Sequence, residues 1–192
     1  MKDSGLHGTE PPSGWVTRWS HLVKPHGTVL DVACGHGRHA YYFHQQNHFV
    51  TLLDRAQAAI ESIAIEAHAC EKVVADIESG AWPLASRQFD AVVVTNYLWR
   101  PLMATLLASL IPGGVLIYET FASGNETVGK PSRPDFLLQP GELLDVCKSL
   151  RVVAYENGFT DGPDGQTPRF VQRIAAVREG SVNQPPARYP LP

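Results

Sequence analysis

The chain has 192 residues, of which 44% are hydrophobic and 18% charged, and its formal net charge at pH 7 is −3. This length favours a single domain, and the composition is that of a globular protein with a full hydrophobic core. The slightly acidic balance argues against a dedicated nucleic-acid-binding protein. No apolar stretch is long enough to span a membrane, so we expect no membrane partner.

The three cysteines, Cys34, Cys70 and Cys147, are isolated from one another. They form no Cys-x-x-Cys pair and have no histidine at metal-ligand spacing, so no metal site is expected. An odd number of scattered cysteines suits a reducing compartment, and the N-terminus lacks the apolar segment of a secretion signal. We therefore expect a cytoplasmic protein.

The first two thirds of the chain alternate between strand and helix patterns. Residues 1–13 are polar and rich in proline and glycine, which predicts a flexible tail, and apolar residues recur at helical spacing over 14–24. Strands are predicted over 28–33, 48–54, 72–76, 89–97 and 115–121, and helices over 37–47, 55–69 and about 102–110. The regular alternation indicates parallel βαβ crossovers.

The last third changes character. Residues 122–139 form a long polar loop, a short helix begins near Pro140, and strands over 150–159 and 168–177 flank a turn. We therefore expect a doubly wound, mostly parallel α/β sheet with a C-terminal antiparallel hairpin and helices on both faces. One domain would cover residues 14–178, followed by a Pro-rich flexible tail over 179–192.

The sequence TVLDVACGHGRHAYYF (28–43) joins the first strand to the following helix. Gly35 and Gly37 lie at this junction, where backbone N–H groups become free to face a ligand. The pattern G-x-G-x-x-A over 35–40, with Asp54 placed 19 residues after Gly35, also meets the dinucleotide-binding fingerprint. A nicotinamide oxidoreductase is therefore one hypothesis.

Three features favour S-adenosylmethionine over a dinucleotide. Asp31, inside the first strand, would repel a pyrophosphate but suits the α-ammonium and sulfonium groups of S-adenosylmethionine. Asp31, Asp54 and Asp76 lie at the ends of successive strands, where ligands of an open parallel sheet bind. Asp54 can accept both ribose hydroxyls, and Asp76 can accept the adenine amino group. The C-terminal hairpin leaves little chain for the second half that an oxidoreductase needs.

These motifs resemble those of the class I (Rossmann-like) S-adenosylmethionine-dependent methyltransferases over residues 28–178. LDVACGHGR resembles the first motif, with Ala33 where a glycine often lies, and we expect Ala33 to keep a negative φ. LLDRA, VVADIES, FDAVVVTNYLW and LIPGGVLIYETF resemble the motifs that follow. The C-G-x-G-R segment is most similar to small tellurite-resistance-type methyltransferases.

The resemblance implies which residues hold the cofactor. Those around its methionine part would be Asp31, Ala33, Cys34, Gly35, His36, Gly37 and Arg38. Those around its ribose and adenine would be Asp54, Arg55, Asp76 and Ile77. Thr95 and Asn96, at the end of the fourth strand, would lie beside the sulfonium.

Methyl transfer needs alignment of the reactants and exclusion of water, and a protonated acceptor also needs a base. The candidate catalytic residues are His36, Tyr97 and Glu119, because all three lie near strand ends. We expect His36 to point into the pocket. Glu119 is either a pocket acid or a strand residue paired locally, and His39 is placed on a helix face with no role.

The expected partner is a small-molecule methyl acceptor. TNYLW (95–99) lacks the two prolines of the N-P-P-aromatic element found in enzymes that methylate nucleic-acid bases, so we expect no nucleic-acid substrate. The loop 122–138 is the predicted substrate lid, and its Lys130 and Arg133 indicate an acidic group on the acceptor. A second hypothesis is a non-catalytic cofactor-binding partner protein, and no pattern indicates the oligomeric state.

Overall fold

The computed structural model describes residues 10–161, 167–180 and 187–192. Within these residues one sheet contains seven strands: β1 (Thr28–Val32), β2 (Phe49–Asp54), β3 (Cys70–Val74), β4 (Phe89–Thr95), β5 (Leu110–Phe121), β6 (Arg151–Thr160) and β7 (Arg169–Val177). The α-helices are α1 (Gly14–Trp19), α2 (Arg38–Gln45), α3 (Gln57–Glu61), α4 (Met103–Ala108) and α5 (Glu142–Val146). Short 3-10 turns cover Ser20–Leu22, Arg100–Leu102, Asn125–Thr127 and Pro134–Phe136.

The strands lie in the order β3-β2-β1-β4-β5-β7-β6. Strands β1 to β5 are parallel to one another, whereas β7 runs antiparallel to both β5 and β6. The predicted α/β class, the mostly parallel sheet and the C-terminal hairpin are confirmed. Because the parallel strands end at the same edge, the loops that follow β1, β2, β3 and β4 lie side by side.

The sheet is covered on both faces, as predicted. Alternate strand residues such as Val29, Val93 and Ile117 pack in one cluster with Trp19 of α1 and side chains of α2 and α3. The residues between them pack in a second cluster with side chains of α4 and α5. This two-sided burial explains why β1 and β4 are apolar apart from one acid and one terminal threonine in each.

The helix predicted over 55–69 is wrong beyond its first turns. Helix α3 ends at Glu61, and residues 63–66 belong to neither a helix nor a strand, with Ile63 and Ile65 buried and Ala64 exposed between them. The backbone N–H of Ala64 donates to Tyr41 Oη (2.7 Å), so it does not bond along a helix. The two β-branched isoleucines therefore reach the core by strand-like alternation.

Two further boundaries differ from the prediction. The segment 112–114, predicted to end a helix, lies inside β5, where Gly113 has a φ of +86°. Strand β3 ends two residues earlier than predicted, so Asp76 lies in the loop after it. Most of the predicted turn between the last two strands, residues 162–166, lies outside the described residues.

The ends of the described chain contact the domain. Ser13, the last residue of the predicted N-terminal tail, is buried and caps α1 by accepting a hydrogen bond from Trp15 N. Near the C-terminus Tyr189 packs against the core, and His21 Nε2 lies 3.0 Å from the Pro190 carbonyl oxygen. The division into one domain and two tails stays a prediction. No helix in the described part of the chain has the length and apolar character to cross a membrane.

Candidate active site

A pocket of about 500 Å³ opens at the edge where β1, β2 and β3 end, and we call it the first pocket. Five of the predicted cofactor-binding residues line it: Ala33, Asp54, Arg55, Asp76 and Ile77. Ala75, Glu78 and Tyr97 complete the lining. Two of the three strand-end acids thus share one pocket.

The glycine loop between β1 and α2 is built from left-handed backbone. Gly35 and Gly37 have φ values of +53° and +76°. A Cβ on Gly35 would meet no atom within 4 Å, whereas one on Gly37 would lie 2.8 Å from Ile63 Cδ1. Ala33 also has a positive φ, +53°, so our expectation of a negative value is wrong. This turn therefore imposes on an alanine a conformation that favours glycine.

Asp54 connects the end of β2 to the glycine loop. Its Oδ2 accepts a hydrogen bond from Gly35 N (2.8 Å) and its Oδ1 accepts one from Ala56 N (2.8 Å). Each carboxylate oxygen keeps a second lone pair for a ligand. In the next loop Asp76 accepts hydrogen bonds from Ser79 Oγ (2.7 Å) and Glu78 N (3.0 Å), and these bonds lower its pKa.

Asp31 does not belong to the lining of the first pocket. The residue is 1% exposed, and its Oδ2 has no hydrogen-bond partner among the described residues. Burial is the main cause that raises the pKa of Asp31 to about 7; the Asp54 carboxylate raises it further, and the Arg38 guanidinium opposes the shift. Such a carboxyl group is suited to a positively charged partner.

A second pocket, of about 600 Å³, adjoins the first at Glu78 and Tyr97. Its other lining residues are Asn96, Leu98, Thr120, Phe121, Pro131 and Phe136. The hydroxyl of Tyr97 is buried without a hydrogen-bond partner in the described chain. Burial raises the pKa of Tyr97, and the nearby Glu78 carboxylate raises it further. Tyr97 therefore stays protonated near neutral pH.

The predicted lid contributes Pro131 and Phe136 to this second pocket, and an arginine holds it in place. Arg100 donates from Nε and Nη2 to the two carboxylate oxygens of Glu142 (2.7 and 2.9 Å). The same guanidinium donates to the carbonyl oxygens of Asp135 (2.8 Å) and Leu137 (2.9 Å). These four bonds fix the segment that carries Phe136.

Comparisons with known proteins agree with this architecture. Residues 29–114 match the family model of a methyltransferase domain. TehB from Haemophilus influenzae superposes with a TM-score of 0.71 at 19% identity, over 87% of this chain and 62% of that one. The chain thus spans less than two thirds of TehB. No curated protein matches the sequence.

Two other solved structures are similar. The glycopeptide N-methyltransferase MtfA in complex with S-adenosylhomocysteine gives a TM-score of 0.63 at 18% identity, over 88% of this chain and 90% of that one. A TehB-like methyltransferase from Corynebacterium glutamicum gives 0.61 at 18% identity, over 88% and 90%. The chain has the class I methyltransferase fold. The resemblance seen in the sequence, including its similarity to the tellurite-resistance type, is confirmed.

Within this methyltransferase fold, two candidate catalytic residues lie away from both pockets. His36 does not point inward as expected: its Nδ1 is 3.0 Å from Ser62 Oγ at the end of α3. Glu119 is 1% exposed, pairs with Arg173, and accepts a hydrogen bond from Ser13 Oγ (2.9 Å). Glu119 is therefore the locally paired strand residue of the two alternatives. Tyr97 alone among the three candidates lines a pocket described here.

The remaining predicted residues surround the methyltransferase glycine loop. Cys34 is buried, and burial raises the pKa of its thiol. Arg38 forms an ion pair with Glu10 (3.2 Å), and its Nη2 lies 3.5 Å from Thr95 Oγ1. Asn96 is exposed with a φ of +54° and lines the second pocket. Their roles toward a cofactor stay predictions.

Sequence reasoning missed Glu78, which lines both pockets, and the buried His39. The signal for Glu78 was an acid two residues after Asp76 in the same strand-end loop. His39 Nε2 accepts a hydrogen bond from Ser13 N (3.1 Å), and burial is the main cause that lowers its pKa to about 3. His39 is therefore a neutral residue that holds the N-terminal segment.

We expect Ala33→Gly to raise the free energy of unfolding by about 1 kcal/mol, because it relieves the left-handed strain of a residue with a Cβ. Denaturant titration of the native protein and the variant measures the change. Ala75→Gly is the control, since Ala75 lines the same pocket without a positive φ. This control should lose stability. A loss in both variants would contradict a strained Ala33.

We expect Asp31→Asn to stabilise the ligand-free protein more at pH 8 than at pH 5. The raised pKa means that the folded state keeps a proton between pH 4 and pH 7 that the unfolded state releases. The penalty for the buried charge therefore grows as pH rises through this window and is constant above it. The stability gain should be roughly 2 kcal/mol larger at pH 8. Equal gains by urea titration at both pH values would contradict the assignment.

Proposed function

We propose that this chain transfers a methyl group from S-adenosylmethionine to a small-molecule acceptor. The observation that carries the proposal is the unpaired, buried oxygen of Asp31 at the end of β1, beside the glycine loop. A buried carboxylate oxygen without a partner is costly, so a structure that keeps one is suited to a cationic ligand. An α-ammonium group would supply that partner, whereas a dinucleotide pyrophosphate would be repelled.

The residues present fit the rest of the cofactor. The free lone pairs of Asp54 can accept the ribose hydroxyls, and the wall formed by Ala75, Asp76 and Ile77 suits an adenine ring. When bound, S-adenosylmethionine supplies an electrophilic methyl group on a positively charged sulfur. The complex of MtfA with S-adenosylhomocysteine supports this choice of cofactor.

The chain's own residues would bind and orient the reactants and exclude water. Tyr97 lies between the two pockets, and with its raised pKa it acts as a hydrogen-bond donor and not as a base. The second pocket next to it provides room for an acceptor. Because an enzyme needs space for an acceptor, the second pocket favours an enzyme over the hypothesis of a non-catalytic cofactor-binding protein.

The acceptor is proposed to be small because the second pocket is bounded by the lid. The lining of the second pocket does not support the acidic acceptor that Lys130 and Arg133 suggested. Arg133 pairs with Asp135 (2.7 Å), and neither cation belongs to the lining of the second pocket. We place the protein in the cytoplasm, in agreement with three buried cysteines that are free of disulfides.

The proposed pairing with Asp31 predicts a pH-dependent affinity. Below pH 7 the free protein carries a protonated Asp31, and an ammonium ligand selects the ionised form. Calorimetry should therefore give a dissociation constant for S-adenosylhomocysteine at least about tenfold higher at pH 5.5 than at pH 7.5. Asp31→Asn should weaken binding and remove the dependence, whereas His36→Gln should keep it. No binding by the native protein at either pH would refute the proposed function.

Transfer itself is tested with methyl-labelled S-adenosylmethionine and the low-mass and macromolecular fractions of a cell extract. The native protein should place label in a small molecule. Asp54→Ala should lower the rate about tenfold at subsaturating cofactor, because it removes the acceptors for the ribose hydroxyls. Asp145→Ala, an exposed aspartate of α5, should behave as the native protein. Label found only in macromolecules would contradict a small-molecule acceptor.

A further inference from the structure

We propose that the second pocket takes an acceptor that carries an aromatic ring and an amine, with the nitrogen directed toward Glu78. This inference rests on the proposed function, because it names the acceptor class for the same reaction. It goes beyond that function in replacing the acidic acceptor by a basic one. Three properties of the pocket carry it: the aromatic walls, the charge of the lining, and the fixed position of the lid.

Three of the eight residues that line the second pocket are aromatic. Tyr97 follows β4, Phe121 ends β5, and Phe136 comes from the lid. Three rings from three separate segments therefore surround one space. Such a space favours a planar ring by offset or edge-to-face contact, and ring faces also attract an ammonium group.

The charge of the lining is negative. Glu78 is its only charged residue among those the structure describes, and Asp76 lies two positions earlier in the same loop. Of the cations in neighbouring segments, Arg100 binds Glu142 and Arg133 binds Asp135, and neither Lys130 nor Arg55 belongs to the lining. A carboxylate ligand would therefore meet Glu78 without a cation in the lining, whereas an amine would gain a charge-assisted hydrogen bond.

The walls are held in place before any acceptor enters. Arg100 fixes the Phe136 segment, as described above, and the buried Tyr118 donates its hydroxyl to the Tyr97 carbonyl oxygen (2.7 Å). Phe136 is 40% exposed, and the Arg133 guanidinium lies 5.2 Å from the centroid of its ring. A preformed space loses little entropy when a flat ligand fills it.

The position of Glu78 also suits the proton chemistry of an amine. An ammonium must release one proton before its nitrogen has a free lone pair. That proton would pass to solvent water at the exposed edge of the pocket, where Glu78 lies, and Glu78 would attract and orient the nitrogen.

The test compares probes of opposite charge on the same ring. Native protein saturated with S-adenosylhomocysteine is titrated by calorimetry at pH 7.5 with phenethylamine, 2-phenylethanol and 3-phenylpropanoate. We expect phenethylamine to bind at least about tenfold more tightly than the carboxylate, with the alcohol between them. Glu78→Gln should remove most of that preference. Because Glu78 also lines the first pocket, the affinity of this variant for S-adenosylhomocysteine is measured first and the probes are titrated at saturation. Glu66→Gln makes the same change in net charge on an exposed residue outside the pocket and should keep the preference.

Each outcome is decisive for one of the two proposals. Equal or tighter binding of the carboxylate, or an unchanged preference in Glu78→Gln, would overturn the amine acceptor. Failure of all three probes to bind the saturated protein would overturn the aromatic acceptor. Failure of S-adenosylhomocysteine to bind would instead overturn the proposed function, and this is measured first.

Discussion

The buried carboxyl group of Asp31 is the constraint around which the site is organised. β1 lies in the middle of the sheet, and its apolar neighbours Leu30 and Val32 are packed on the opposite face. The carboxyl group of Asp31 is thus shielded from water, and its Oδ2 has no hydrogen-bond partner among the described residues. A designed core would place an apolar residue here. The chain instead keeps a destabilising group in the position where a cationic ligand would relieve it, which is typical of functional sites.

Glu119 shows the contrast on the same face of the sheet. Two residues after the core residue Ile117, it is as deeply buried as Asp31, but it is surrounded by donors: Ser13 Oγ and the guanidinium of Arg173. Ser13 also donates its backbone N–H to His39. These contacts connect α1, α2 and β5, and they give the Glu119 carboxylate partners from within the protein. Two buried acids thus differ in role because one has its partners built in and the other does not.

The order of elements could be predicted because each buried strand is a continuous apolar run, and the strand-end acids Asp54 and Asp76 follow directly from that order. The predictions that were wrong concerned features that depend on backbone geometry and long-range contacts. The hydrophobic periodicity over 55–69 could not show that the isoleucines on either side of an alanine lie outside the helix and pack into the core. The left-handed φ of Ala33 is set by the turn as a whole. The direction of His36 depends on Ser62, a residue 26 positions away.

Contacts between separate segments, which the sequence does not show, also explain why the acceptor's charge could not be inferred from the residues of the lid. Long polar loops satisfy many of their charges locally: Arg133 pairs with Asp135 two residues later, and Arg100 from a neighbouring turn pairs with Glu142, the first residue of α5 after the lid. The charge that faces the second pocket comes from Glu78, in a loop shared with the first pocket. Because one strand-end loop lines both spaces, a ligand in the first pocket completes a wall of the second. Cofactor and acceptor binding are therefore expected to be coupled, and the coupling would pass through Glu78 and Tyr97.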